Sequence, residues 1–251
     1  SYAASHPGFL RLLDGSTGRR GPSGNFACLL DQASADYVMF CDQDDVWLPG
    51  KVAETMAAMQ RMEAEQQRGM PLMVHTDLMV VDRDLNQMSP SYAQYVGLNP
   101  ARNCFAALLM VNIAAGCTML VNRALYELAR PLPPETLMFD YWVTQVAAGT
   151  GKIAYLDQPT ILYRQHGANV VGAMPKGKAS LWHKAKRLLL GKETMFVLVA
   201  FSHHAAVLSK RYADRLGLRA NRQAQVLAGI WSRSRWLRFG ALWRAGVRKP
   251  T

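Results

Sequence analysis

A short apolar run, Tyr37 to Phe40, ends in the string Cys-Asp-Gln-Asp-Asp-Val-Trp, so that Asp42, Asp44 and Asp45 follow it almost directly. This stretch constrains the fold more than any other. An apolar run so short, with a β-branched and an aromatic residue, reads as a buried strand over 36–41. Neighbouring carboxylates repel one another, so such a cluster is costly unless something neutralises it. In open α/β sheets, ligands bind beyond the carboxyl ends of strands, which is where these acids fall. Hard cations such as Mg²⁺ or Mn²⁺ take oxygen ligands and leave positions open for substrate phosphates. The trio therefore reads as a divalent-metal site for a phosphate-bearing ligand. Asp42 and Asp44 are the expected ligands, and Asp45 is free to cap the helix behind Pro49. The competing reading is a solvated turn with one capping Asp.

The chain around this turn alternates strands and helices. Strands are expected at 9–13, 36–41, 71–82 and 115–122, and in "KIAYLD" and "TILYRQH". Helices are expected from Ser23 (as N-cap), from Pro49 to about Gln67, over 104–112, over "RALYELAR", and from near Asp140. In the Pro49 helix, Val52, Met56, Met59 and Met62 recur at helical spacing. This alternation predicts an α/β layered domain.

Three further motifs carry chemistry. Asp140 lies among Met138, Phe139, Tyr141 and Trp142. A carboxylate in apolar company has a raised pKa and suits a general base, although on this motif alone a helix N-cap is the better reading. Arg164 and His166 leave the last strand on one face, fit either to hold a diphosphate and complete a metal shell or to be ordinary surface polarity. His75 and Asp77 share a strand face, pointing either into one cleft or along a polar sheet edge.

Charge divides the chain. Residues 1–175 carry 12 Lys+Arg and 16 Asp+Glu, a net −4; residues 176–251 carry the other 17 and 2, a net +15. A Gly/Pro/Lys stretch, "VGAMPKGKAS", separates a working domain over 1–175 from a basic helical region over 176–251. In that region Val226, Ile230, Trp236, Phe239, Trp243 and Val247 form a rough helical stripe among arginines. It reads first as an interfacial helix on an anionic membrane, next as a helix packed on the domain, and well behind these as a nucleic-acid surface. Cys28, Cys41, Cys104 and Cys117 form no C-x-x-C pair, so buried thiols in a reducing compartment are expected. No apolar run spans a bilayer. The chain opens without Met, which is read as a fragment or a processed chain.

Together the strings "GPSGNF", "DYVMFCDQDDVWLPGK", "VHTDLMVVD", "AGCTMLVNR", "MFDYW" and "GKIAYLDQPTILYRQHGANVVG" resemble the family 2 glycosyltransferases of the GT-A fold. The likeness is nearest to the bacterial branch of rhamnosyl and surface-polysaccharide transferases, and it runs from about Gly21 to Gly172. The resemblance implies a GT-A-like, Rossmann-type mixed sheet flanked by helices, followed by the basic helical segment. It implies metal-dependent, inverting transfer of a sugar from a nucleotide-sugar to a lipid-linked or saccharide acceptor, peripheral to the inner face of the cytoplasmic membrane. Asp42 and Asp44 look like the metal-binding pair, with Asp45 sharing that role or touching the donor sugar. Asp140 looks like the base, and Arg164 and His166 like diphosphate or metal contacts. Gly24 and Asn25 match a turn near the donor, and His75, Asp77 and Trp142 lie on the acceptor side.

Two departures stand out. Phe139 occupies a position that is often His in this branch. The string Asp14–Thr17 imitates the family's nucleotide-base motif but stands too close to Gly21, so the first strands and the base pocket are expected to be missing. The alternatives are a nucleotidyltransferase on a similar sheet, and an inactive, truncated scaffold at the membrane.

Overall fold

The computed structural model describes residues 5–6, 8–13, 21–134, 136, 138–165 and 192–247. Six strands form one mixed sheet: β1 (Tyr37–Met39), β2 (Val46–Trp47), β3 (Leu72–Val81), β4 (Gln87–Ser89), β5 (Leu120–Asn122) and β6 (Lys152–Arg164). Their order is β1-β5-β3-β6-β2, with β4 on β3. β3 and β6 run parallel, and every other pairing is antiparallel. β3 is central and almost continuously buried, as a strand covered on both faces should be.

The helices of the α/β layer are α1 (Pro22–Asp31), α2 (Lys51–Glu65), α3 (Tyr92–Val96), α4 (Phe105–Leu108), α5 (Arg123–Ala129) and α6 (Phe139–Thr150). Three more, α7 (Lys192–Arg211), α8 (Leu218–Ala228) and α9 (Arg235–Ala245), follow. The mixed, helix-flanked sheet is the α/β architecture expected from the sequence.

Several elements differ from the sequence reading, for identifiable reasons. Residues 9–13 are irregular rather than a strand; Phe9 and Leu12 are exposed and pair with no neighbour in the sheet. β1 is an edge strand and only half-buried. The two expected C-terminal strands are one bent strand, β6. Its register shifts against β3 around Thr76 and Asp77, close to Pro159, where a residue without an N–H is tolerated. The strand expected over 115–122 opens as a 3₁₀ turn, Gly116–Thr118, and only Leu120–Asn122 pairs. Gly116 is required there, because a Cβ would run into the Phe139 ring. The 104–112 helix shrinks to α4. In α2 the inward side chains are Lys51, Thr55, Ala58 and Met59, while Val52 faces solvent. Gly21, not Ser23, stands at the N-cap of α1.

The basic region shares the core of the α/β layer. Phe201, Ala205, Leu208, Tyr212, Leu216, Ala224, Leu227 and Val247 join the cluster that holds Trp142, Val143 and Val146 of α6. Polar groups seal the joint. The Trp142 Nε1–H donates to the Ala129 carbonyl at 2.7 Å, and the Tyr212 hydroxyl donates to that of Leu128 at 2.7 Å. His204 Nδ1 lies 3.0 Å from Gln145 Oε1. The Arg211 guanidinium donates to the carbonyls of Leu128, Arg130 and Pro131. Of the basic stripe, Ile230 and Val247 are buried, Val226 is half-buried and Trp243 is 57% exposed. The Trp236 and Phe239 side chains and the whole 166–191 stretch lie outside the described residues. No described helix is long and apolar enough to cross a membrane.

Candidate active site

The acidic turn is anchored from both directions. Behind it, Phe40 is buried and meets Phe139 at 4.7 Å and Phe26 at 5.8 Å between ring centroids, and Phe26 meets Phe139 at 4.3 Å. These rings tie the end of β1 to α1 and to the first residue of α6. Phe139, the departure noted in the sequence, is thus a packing residue. It sets the position of Asp140, which follows it.

From the front, the last residue of β6 clasps the turn. The Arg164 backbone N–H donates to Asp45 Oδ1 at 3.2 Å, Nε donates to the Asp44 carbonyl at 2.9 Å, and Nη1 donates to the Arg83 carbonyl at 2.8 Å. β2 continues this attachment, pairing Val46 with Leu162 and Trp47 with Ile161. Arg164 was expected at a diphosphate; in the structure its guanidinium holds backbone carbonyls and fixes the turn's shape.

Asp42 and Asp45 converge with Cys117 of the 3₁₀ turn. One ligand atom from each lies within 4.8 Å of the others. Burial raises the pKa of Asp42, with the charge of Asp44 adding to it, and pushes Asp45 up to about 6. The neighbouring Cys117 thiol pulls the pKa of both carboxylates down. Burial also pushes the Cys117 thiol well above its usual range. Asp45 stands beside Asp42 in this group, and Asp44 is not part of it. Nor does Asp45 cap the following helix, whose N-cap is Gly50. Two carboxylates, each raised by burial, suit a hard divalent cation, since a positive charge between them removes the penalty. A buried Asp45 Oδ2 without a hydrogen-bond partner is a further vacant oxygen donor.

Lys51 completes this pole. Its side chain is 1% exposed, its ammonium has no hydrogen-bond partner, and it lies 4.8 Å over the Trp47 ring. Burial lowers its pKa, against the pull of Cys117, Cys41 and Asp45.

Asp140 sits in the first turn of α6, one residue past the start, and Met138 rather than Asp140 takes the N-cap position. The Tyr141 N–H donates to its Oδ1 at 2.8 Å, and the backbone near Tyr141 and Gly116 pulls its pKa down. Burial nonetheless pushes it up to about 7, with the charge of Asp42 adding to that rise. A carboxylate poised near neutrality, within electrostatic reach of an acidic turn, is equipped to take a proton at physiological pH.

The remaining expected residues divide. His75 is 1% exposed, stacks near Tyr155 at 5.0 Å and is lowered by burial to about 4. Asp77 accepts from the backbone N–H groups of Leu78, Tyr92 and Ala93 and from the Ser91 hydroxyl, which makes it the anchor of α3. Trp142 is fully buried with its N–H bonded. None of the three offers a surface to an acceptor. Gly24 and Asn25 lie in the first turn of α1, within the helix expected from Ser23. His166 lies outside the described residues. Sequence reading missed Cys117 and Lys51. Lys51 ends the string "DQDDVWLPGK", where its fixed distance from the acids is the signal. Cys117 gave none, because its stretch read as a plain strand.

The mixed sheet flanked by helices is an α/β architecture of the GT-A-like kind. Residues 2–71, the span that holds α1, β1, the acidic turn and α2, match Glycosyl transferase family 2. The match supports glycosyltransferase activity, and it implies a nucleotide-sugar donor and an acceptor as substrates. No curated protein matches the chain.

Proposed function

We propose that this chain moves a hexosyl or deoxyhexosyl unit, with inversion, from a nucleotide-sugar to a hydroxyl of a saccharide or lipid-linked acceptor in cell-surface polysaccharide synthesis. The observation that carries this reading is Asp140, buried, raised to about 7 and electrostatically coupled to the acidic turn. Inverting transfer needs an activated hydroxyl on one face of the anomeric carbon and a stabilised leaving group on the other. Asp140 takes the acceptor's proton on its carboxylate. Asp42 and Asp45 are the residues that would hold a divalent cation, which when bound offsets charge on the departing diphosphate. Asp44 lies at the tip of the same turn, and His166 belongs to the set by resemblance. Arg164 acts by holding the turn in shape.

The test is release of nucleoside diphosphate from a panel of nucleotide-sugars with Mg²⁺ or Mn²⁺ and a saccharide acceptor. The wild-type chain releases it and Asp140→Asn does not, while both bind donor alike. Turnover of nucleoside triphosphate with sugar phosphate instead would identify a nucleotidyltransferase. No turnover of either kind would leave a scaffold.

A membrane face belongs to the same reading. Leu237 and Trp243 of α9 are 62% and 57% exposed on a helix that also carries Arg238 and Arg244. Exposed aromatic and aliphatic groups beside arginines suit an anionic bilayer surface, such as the inner face of the cytoplasmic membrane. Sedimentation with anionic but not zwitterionic vesicles is the expected result.

A further inference from the structure

A base at Asp140 needs an acceptor hydroxyl beside it, and His75, Asp77 and Trp142 are too deeply buried to hold one. Three half-buried tyrosines stand around the same centre: Tyr92 of α3, Tyr141 of α6 and Tyr163 of β6. Tyr92 meets Tyr163 edge to face at 5.7 Å between ring centroids, and Tyr141 stacks on Phe201 of α7 at 5.6 Å.

The 3₁₀ turn Gly116–Thr118 brings these rings to the reacting groups. Its Cys117 packs in one cluster with Tyr92 and Tyr163, and a ligand atom of the same Cys117 lies within 4.8 Å of those of Asp42 and Asp45. Gly116 lies against the ring of Phe139, the residue before Asp140. Tyr163 immediately precedes Arg164, whose backbone N–H holds Asp45, and Tyr141 directly follows Asp140. The tyrosines thus border both the acidic turn and the base. Their backbones are fixed. Asp77 accepts the Tyr92 N–H at 3.1 Å, which pins the start of α3 to β3. Tyr163 pairs with Val80 in the parallel register of β3 and β6.

The tips of two of these rings are open. Among the described residues, neither the Tyr92 nor the Tyr141 hydroxyl has a hydrogen-bond partner, and neither is sealed from solvent. Burial first, and then the charge of Asp140, raise the pKa of Tyr92 and push Tyr141 up to about 12. Both hydroxyls are therefore donors at neutral pH. An aromatic face with a hydroxyl at its tip matches a pyranose. The C–H face of such a sugar is drawn to the electron-rich face of an aromatic ring, and its rim of hydroxyls gives and takes hydrogen bonds.

We propose that Tyr92, Tyr163 and Tyr141 form the acceptor wall of the transfer site, where a pyranose ring lies against Tyr92 with one hydroxyl turned to Asp140. The proposal rests on the transfer reading above and names its acceptor class, a saccharide that is free or carried on a lipid.

The test reads sugar binding without a donor. The full chain with Mg²⁺ is mixed with methyl glycosides of glucose, galactose, mannose and rhamnose, and saturation transfer from aromatic protons to sugar C–H protons is followed by NMR. Wild type and Tyr95→Ala, a change elsewhere on α3, bind at least one glycoside alike, with transfer strongest to one face of the sugar. Tyr92→Leu, which fills the space without an aromatic face, weakens that binding at least about tenfold. Tyr92→Phe keeps the ring and weakens it only about threefold. Circular dichroism confirms that both variants fold. Octyl glycosides below their micelle threshold tell the sources apart: binding at least about tenfold tighter than the methyl glycoside marks a lipid-carried acceptor, and equal binding a free one, with the loss in Tyr92→Leu expected for either. In turnover, Tyr92→Leu raises the acceptor KM by the same factor as it weakens binding and leaves the donor KM within about twofold. No glycoside bound by wild type, equal binding in Tyr92→Leu, or a change confined to the donor KM would overturn the proposal. Sugar binding that depends on Tyr92, with no turnover of any nucleotide-sugar, would instead sink the transfer reading and leave the saccharide wall standing.

Discussion

The acidic pole and the α6–α7 joint differ in how far their buried polar groups are met. At the joint, the Trp142 indole, the Tyr212 hydroxyl and the Arg211 guanidinium all have carbonyl partners, and the rings pack in one core. At the pole, Asp45 Oδ2, Trp47 Nε1 and Lys51 Nζ are buried without partners, within a few residues of one another in sequence. Native interiors leave few such atoms, and each needs an explanation. Here the joint leaves Thr144 Oγ1 unmet among many bonded groups and supplies stability and orientation, whereas the pole gathers three unmet atoms in one short stretch beside its carboxylates.

That contrast can be broken by mutation. The largest effect is expected at the base. Asp140→Asn lowers transfer by about 100-fold or more, read as nucleoside diphosphate release. Next is Trp142→Ala, which removes a buried ring and its hydrogen bond and costs about 3–5 kcal/mol in urea unfolding. If it destabilises the chain no more than a surface substitution does, the joint is not the stabilising region.

A third expectation concerns pH. Burial holds Asp140 up to about 7 and Asp45 up to about 6, above their unfolded values near 4. Raised carboxylates favour the fold most below their unfolded pKa, and this stability is lost as pH rises through the folded pKa. The share of stability from these two carboxylates therefore falls between about pH 4 and 7, against the rise that His75, lowered to about 4, supplies up to about pH 6.5, and Asp140→Asn removes the upper part of that fall. Over the same range kcat/KM rises with pH, with a midpoint near 7, because the base works when ionised. A flat kcat/KM profile across pH 6–8 would remove Asp140 from that role. The smallest effect is at the surface: Trp243→Ala changes stability by under about 0.5 kcal/mol yet reduces sedimentation with anionic vesicles.

Much of this was legible in the sequence. β3 read as a strand because apolar residues rich in Val and Leu flank its His-Thr-Asp centre, and Asp140 stood out through its aromatic neighbours. The acidic turn was visible as charge following an apolar run, but which two acids converge was not. That choice depends on Arg164 and on Cys117, which reach the turn from distant parts of the chain. The short strands β2 and β4 were invisible, because strands of two or three residues carry no period. The single strand β6 read as two because Pro159 interrupts its pattern where β3 itself shifts register. His75, Asp77 and Trp142 share a feature the sequence does not display, which is burial. A polar or amphipathic side chain near a motif looks exposed in one dimension and was buried by tertiary packing.

The Arg164 clasp has a consequence for how the chain matures. Asp45 and the residue whose N–H it accepts are 119 positions apart, and the parallel pairing of β3 with β6 must also close over a long loop. Contacts of such separation form slowly, after their closure entropy has been met. A ribosome that has made only the acidic turn has therefore made no site. The binding pole is assembled late, once the rest of the sheet has passed through synthesis and folded back onto it.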